Sequence, residues 1–248
     1  MTSIALAIKN ISLTVPGDRH ILSKINYTIY EGDFIVILGS NGSGKSSLLK
    51  LLARQYTPTT GHIDLYGKPL IHYSNYNLNQ TIITLTQNFH ESLFTSLTLL
   101  ENAILAKQRQ ESKLFSIAKK NEREFFSDYL KKFNANLPHK LDQTVEKLSG
   151  GEKQALALAL SVLYPPRILL LDEHTSALDP KAAEQVMSLT LDTIKKNNMT
   201  CILTTHDLDI AMHYGNRILA LKHGEIFTTI DHEKKSALDK NELLAACY

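Results

Sequence analysis

The sequence predicts an α/β fold: a mainly parallel sheet core, a β-rich N-terminal part and a helical subdomain. Three observations predict it. The apolar run FIVIL at residues 34–38 leads into a glycine loop and then an amphipathic helical stretch. Short apolar runs recur at residues 168–171, 200–204 and 217–221, separated by segments with helical spacing. From about residue 88 to 147 the texture changes to mixed charge and helical spacing with no β-branched run. Strand, phosphate-sized glycine loop, then helix is how many α/β sheets open.

Each element has its own signal. Residues 5–15 alternate apolar with small or polar side chains, through Leu6, Ile8, Ile11, Leu13 and Val15. The phase slips at Lys9-Asn10, which predicts a turn or bulge there. Residues 33–38, bounded by Gly32 and Gly39, read as a buried strand. In residues 45–54, Leu48, Leu49, Leu52 and Ala53 share one helical face. A TPTTG turn leads to a strand at 62–66, and 82–86 reads as another. Two segments, LTLLENAILAK and ESKLFSIAKKNEREFFSDYLKKF, read as helices. Then follow a strand at 168–171, a helix at 180–196, a strand at 200–204 and a short helix at 207–213. Residues 217–221 are expected to be the last core strand and 234–246 a terminal helix. The organisation expected is one domain over 1–248: a core from 1–87 and 166–230, a helical subdomain at 88–165, and a C-terminal tail at 231–248.

Composition excludes several classes of function. The 248 residues carry 27 basic and 25 acidic side chains, a net charge of +2, which argues against a broad nucleic-acid-binding face. No apolar run approaches the ~18 residues that cross a bilayer. The start, MTSIALAIKN, lacks the basic and long apolar parts of a secretory signal. Cys201 and Cys247 have no metal-type spacing and read as ordinary thiols in a reducing compartment.

The chemistry concentrates in three places. Gly39-Ser40-Asn41-Gly42-Ser43-Gly44-Lys45-Ser46 fits G-x-x-x-x-G-K-[ST]. Its glycines let backbone N–H groups turn inward, and the helix that follows adds its positive end, so a polyphosphate finds donors and dipole together. Lys45 is placed to reach the β and γ phosphates and Ser46 to bind Mg²⁺. In ILLLDE, Asp172 falls at the carboxyl end of a buried strand, where it would hold Mg²⁺. Glu173 would face an attacking water as general base. The third place is LSGGEKQ at residues 148–154, ahead of the apolar helical stretch ALALALSVL. Ser149 is a natural N-cap, and Gly150 and Gly151 allow close approach by an anion. One nucleotide needs only one such cradle from one chain. Two chains arranged head to tail could each offer this second cradle to the other's γ-phosphate, which predicts a nucleotide-dependent dimer.

At this point the chain resembles the nucleotide-binding subunit of an ATP-binding-cassette (ABC) transporter. GSNGSGKSS, through Ser47, resembles the Walker A loop, ILLLDE the Walker B strand, and LSGGEKQ the signature motif. SALD at 176–179 resembles the D-loop, Gln87 the Q-loop glutamine, and His206 in TTHD the switch histidine. The motifs stand in family order and span about residues 10 to 225. The resemblance implies a P-loop NTPase fold with a RecA-like core, ATP and Mg²⁺ as ligands, and Mg-dependent ATP hydrolysis. It implies that Gln87 contacts Mg²⁺ or the attacking water and that His206 bonds the γ-phosphate and positions Glu173. Ser149, Gly150, Gly151 and Gln154 would act in trans, with Asp179 across the dimer interface. It also implies partners: a second copy in the ATP-bound state, transmembrane permease subunits, and a separate substrate-binding protein, at the cytoplasmic face of the inner membrane.

Some positions depart from the family pattern. Val15 stands where an aromatic residue usually stacks on adenine, leaving that role to His20 or another residue. Ala155 and Leu160 occupy positions that are often arginine, and His174 follows the catalytic glutamate in place of proline or alanine. DEHTSALDP and AMHYGNRILAL resemble a bacterial branch paired with branched-chain-amino-acid-type permeases. Import of an amino-acid-like solute is therefore favoured over lipid or lipoprotein export. A soluble cassette of translation or DNA maintenance usually carries two cassettes or a long coiled coil, and a dead scaffold would lack Lys45, Asp172, Glu173 or His206. The helical insertion, with the segment around Gln87 to Phe94, is a candidate contact for permease loops; Phe89, Leu93 and Phe94 read either as lining that groove or, more simply, as ordinary core packing. The stretch 107–132 mixes acids with its bases and reads as a solvated helical face.

Overall fold

The computed structural model describes residues 3–17, 19–88, 92–111 and 120–247. In chain order the first elements are β1 (Ile4–Val15), β2 (Arg19–Tyr30), β3 (Phe34–Leu38), α1 (Lys45–Leu52), β4 (Thr60–Leu65), β5 (Lys68–Pro69), α2 (Asn75–Thr81) and β6 (Ile82–Thr86). Next come α3 (Leu99–Glu111), α4 (Lys120–Lys131), α5 (Gly150–Ser161), β7 (Ile168–Asp172), α6 (Pro180–Asn197) and β8 (Thr200–Thr205). The chain ends with α7 (Leu208–His213), β9 (Arg217–Lys222), β10 (Glu225–Ile230), α8 (His232–Ala237) and α9 (Lys240–Cys247). Two compact units divide these elements: Met1–Thr84 with Arg167–Glu173 and Asn198–Tyr248, and Leu85–Pro166 with His174–Asn197.

One sheet is antiparallel, in the order β2-β1-β4-β5. The other has the order β10-β9-β3-β8-β7-β6, with β9, β3, β8 and β7 parallel and β10 antiparallel at the edge. All five residues of β3 are buried, as expected for a strand covered on both faces of a parallel sheet. In the first unit α1 touches β2 of one sheet and β7 of the other. Leu48, Leu49 and Leu52 join Leu6, Ile35 and Ile202 in one continuous core. The helix that follows the glycine loop is thereby fixed from two sides, which fixes the loop.

The slip foreseen at Lys9-Asn10 is a bulge: Asn10 has φ 51°, and the β1–β2 register shifts between Ile8 and Ile11. Only glycine fits opposite, because a Cβ on Gly61 would lie 2.2 Å from the Asn10 carbonyl oxygen. Strand β2 has no counterpart among the expectations. Its buried residues Leu22, Ile25 and Ile29 are spaced three and four apart, because the register shifts between the pairs Ile11–Ile25 and Leu13–Leu22. Bulging thus gives a strand the apparent period of a helix. The short polar helix α2 was also without a sequence signal beyond its cap: Ser74 accepts a hydrogen bond from the Asn77 amide, and only Leu78 is buried.

Two expectations at the C-terminus are corrected. Residues 217–221 are not the last strand, since β10 pairs with β9 at the sheet edge and alternates exposed with less exposed positions. The terminal helix is two helices. Leu238 ends α8 in an extended conformation, and Asp239 and Glu242 exchange reciprocal backbone–carboxylate hydrogen bonds of 2.8 Å that start α9 anew.

The second unit is helical. Thr98 and Glu101 form a reciprocal cap ahead of α3 (Thr98 N to Glu101 Oε2 2.7 Å, Glu101 N to Thr98 Oγ1 3.2 Å). Phe126 and Leu130 of α4 are fully buried, and α5 packs on α3 and α6. Two cations of the stretch 107–132 lie beside acids: Lys107 is 3.3 Å from Glu122, and Arg123 forms a bidentate, solvent-exposed pair with Asp142.

Candidate functional site

The glycine loop joins the buried end of β3 to α1. Gly44 takes φ 104°, a conformation open to glycine, and a Cβ there would lie 2.7 Å from Leu22 Cδ2. A Cβ on Gly39 would lie 2.4 Å from the Leu221 carbonyl oxygen. The cradle therefore closes only around glycine. Its Lys45 side chain is 4% exposed, and the ammonium donates to the carbonyls of Gly39 (2.9 Å) and Ser40 (3.1 Å). The buried Ser43 hydroxyl has no hydrogen-bond partner among the described residues, as suits a polar atom lining a cradle for a polar ligand.

The two acids of the ILLLDE strand are held differently. The Asp172 carboxylate accepts from the Ser46 hydroxyl at 2.9 Å and from the Thr204 hydroxyl at 2.6 Å. These oxygens form the hard donor set that Mg²⁺ takes together with phosphate oxygens. Among the described residues no cluster of three acidic, histidine or cysteine side chains offers a metal cage of its own. The donors present thus fit a Mg²⁺ that arrives with a nucleotide. Glu173 has φ 46°, and its amide donates to the Thr204 carbonyl at 3.2 Å. Its Oε1 lies 3.3 Å from the Lys45 ammonium and 3.3 Å from His206 Nδ1. The sheet does this work: β7 and β8 are parallel neighbours in register at Asp172 and Thr204, so their carboxyl ends converge at the end of β3.

The second cradle lies in the helical unit. Ser149 caps α5 through a complete capping box: its hydroxyl accepts from the Glu152 amide at 3.3 Å, and Glu152 accepts from the Ser149 amide at 3.0 Å. Lys140 holds the other Glu152 oxygen at 2.6 Å. Ser149 and Gly150 are exposed. Gln154, grouped with them on sequence, is buried, and its amide nitrogen donates to the His174 carbonyl. Asp179 caps α6 by accepting from the Ala182 amide at 3.1 Å.

The family described as ABC transporter matches residues 22–176. The chain belongs to the ABC transporter family. The tyrosine transport ATP-binding protein of Clostridioides difficile strain R20291 is 33% identical over 245 residues, 96% of this chain and 97% of that one. Among solved structures, cbiO1 of Clostridium perfringens, part of the ABC transporter complex cbiONQ, aligns with a TM-score of 0.80 at 27% identity, covering 98% of this chain and 94% of that one. The dimeric cassette MJ0796 bound to ADP and Pi aligns with a TM-score of 0.77 at 28% identity, over 92% of this chain and 98% of that one. The expected P-loop NTPase fold is therefore the fold found. As an ABC ATP-binding subunit the chain binds ATP with Mg²⁺ and hydrolyses it to drive transport. Among the described residues no helix is long and apolar enough to cross a membrane.

The remaining ABC motif residues are placed as follows. Gln87 is exposed just beyond β6. Leu93 is buried, Phe94 is 62% exposed, and Phe89 lies outside the described residues. Buried Asn102 presents Phe94, bonding its backbone N–H at 2.8 Å and its carbonyl at 2.9 Å. Val15 pairs with Arg19 across the β1–β2 hairpin, and exposed His20 pairs with Thr14, their side chains 3.0 Å apart. Thr204 was missed by sequence reasoning although it touches both acids. The available signal was the pair of hydroxyls, Thr204 and Thr205, that ends the apolar run CIL just ahead of His206.

His174 stands immediately after Glu173 and is 2% exposed. Its Nε2 lies 3.4 Å from the Thr190 hydroxyl and its Nδ1 has no partner among the described residues; burial pushes the imidazole down to about 4 from an ordinary 6.5. The ring is thus neutral in the fold. The unfolded chain takes up a proton below about pH 6.5 that the folded chain refuses, so the stability tied to this neutral ring is whole above that pH and is lost as pH falls toward 4. At pH 5 the loss is about 2 kcal/mol. Urea unfolding at pH 7.5 and pH 5 checks this: the drop between the two should be about 2 kcal/mol smaller in His174→Asn than in wild type. Equal drops would remove His174 from the account.

Proposed function

We propose that this chain is one of two ATPase subunits that power uptake of an amino-acid-like solute through a membrane permease fed by a separate binding protein. It would sit on the cytoplasmic face of the inner membrane. The observation that carries the catalytic part is the Glu173 carboxylate held at 3.3 Å by both Lys45 and His206, at the mouth of the glycine loop. Kinship with a tyrosine transport ATP-binding protein supports the solute class.

In this reading Lys45 and the loop amides from Gly39 to Ser47 grip the β and γ phosphates. Ser46 and Asp172 would hold Mg²⁺. Bound Mg²⁺ supplies charge neutralisation at the phosphate oxygens. Glu173 accepts a proton from the attacking water while His206 keeps its carboxylate aimed and bonds the γ-phosphate. Ser149, Gly150 and Gly151 of a second copy offer the hydroxyl and amides of a capped helix start to the same phosphate, and Asp179 lies at that interface. Phosphate release removes the shared ligand and favours separation of the copies, a population shift that the permease converts to movement. Gln154, spent on the His174 carbonyl, steadies the start of α5 from within.

His20, pinned by Thr14 beside the loop-facing Ile21 and Leu22, offers the flat ring that Val15 lacks. His20→Ala should raise the KM for ATP about fivefold, roughly one lost stacking contact, with kcat unchanged. An unchanged KM would move the base elsewhere. The uptake reading itself is tested by purifying the tagged chain from membranes with its permease and measuring ATP turnover in the presence of tyrosine-loaded binding protein. Copurification with a soluble ribosomal or DNA complex instead would overturn it.

A further inference from the structure

The two C-terminal helices belong to none of the motifs, yet they contact α7, the helix whose N-cap Asp207 directly follows His206. His206 sits between Thr205, whose hydroxyl accepts from the Asp207 amide at 3.0 Å, and Asp207, whose carboxylate caps α7 by accepting from the Asp209 amide at 2.7 Å. The position of α7 thus sets the position of His206. Helix α7 has only six residues and cannot persist by itself. It lies against β3 and β8 on one side and against α9 on the other. Ala211 of α7 and Leu243 of α9 are both fully buried.

Two lysines of the tail tie down the two ends of α7. Lys235 of α8 is 9% exposed, and its ammonium donates to the Tyr214 and Gly215 carbonyls that close α7, at 2.7 Å to the latter. A cation there satisfies carbonyls left over at a helix end and opposes its negative pole. At the other end, Lys240 at the start of α9 pairs with Asp209 in the first turn of α7 at 2.7 Å. Beside the first clamp, Gly215 runs so close to β3 that a Cβ would lie 2.7 Å from the Phe34 carbonyl oxygen, and the next amide, of Asn216, donates to that carbonyl at 2.7 Å. The register of α7 is therefore set between the root of β3 and the tail.

We propose that Lys235 and Lys240 are positioning residues for ATP hydrolysis, acting through α7 on His206 and so on Glu173. The proposal rests on the roles assigned above to His206 and Glu173. The test is steady-state ATP turnover by the full chain, wild type against Lys235→Met, Lys240→Met and the double variant, each also made with His206→Ala. The double variant should lose about tenfold in kcat while the KM for ATP, which rests on the glycine loop and Lys45 rather than on α7, stays within about twofold. Lys235→Arg with Lys240→Arg should restore most of the loss. With His206→Ala present, the tail substitutions should cost nothing more, because their effect passes through that ring. A kcat unchanged by the double variant, or a loss of equal size with and without His206, overturns the proposal. If His206→Ala alone leaves kcat intact, the reading of His206 fails instead. Should Lys235→Met prevent folding, Lys240→Met carries the same comparison from an exposed position.

Discussion

Glu173→Gln should slow ATP turnover by about a thousandfold while leaving ATP binding intact. The substitution keeps the shape of the side chain, so the backbone at φ 46° and the amide bond to Thr204 are undisturbed. What it removes is the negative charge 3.3 Å from both Lys45 and His206, and with it the ability to accept a proton from water. Losing that charge also frees the Lys45 ammonium from a competitor for phosphate. The variant should therefore accumulate an ATP-bound dimer, visible by size-exclusion chromatography at high protein concentration with Mg-ATP and absent with ADP. Phosphate release close to the wild-type rate would show that another group activates the water. A monomer at every ATP concentration would sink the composite site, because a second copy's Ser149 turn would then have nothing to hold.

Lys45→Met should weaken ATP binding by about a hundredfold, roughly the value of one charge-assisted contact to phosphate. Methionine keeps most of the buried aliphatic stem, so the packing around α1 survives. The carbonyls of Gly39 and Ser40 lose their donor, and Glu173 loses the ammonium at 3.3 Å while keeping His206. Equilibrium binding of a fluorescent ATP analogue measures the affinity, and far-ultraviolet circular dichroism checks the fold. The comparison with Glu173→Gln separates the two roles: one variant binds and does not turn over, the other scarcely binds. Wild-type affinity in Lys45→Met would mean that the loop amides alone carry the phosphates.

Much of this was legible in the sequence because local chemistry sufficed. The glycine loop, the ILLLDE strand and the capped start of α5 are each written in consecutive residues, and the capping box at Ser149 and Glu152 needs only four of them. The bulge at Asn10 showed as a break in alternation. The parts that stayed hidden depend on partners distant in sequence. Strand β2 reads with a helical period because its bulges are decided by pairing with β1. Edge strand β10 exists because β9 offers it an open edge.

The sequence by itself determined the family and the nucleotide, because motif chemistry lies in residue type and spacing. Only the tertiary structure decided which groups meet. Parallel pairing of β7 with β8 brings Thr204 between Asp172 and the amide of Glu173, from 32 and 31 residues away. The fold of the tail brings Lys235 to the end of α7, 20 residues back from its own position. Such contacts are set by strand order and packing, which fix the separation of side chains in space without any trace in their separation along the chain.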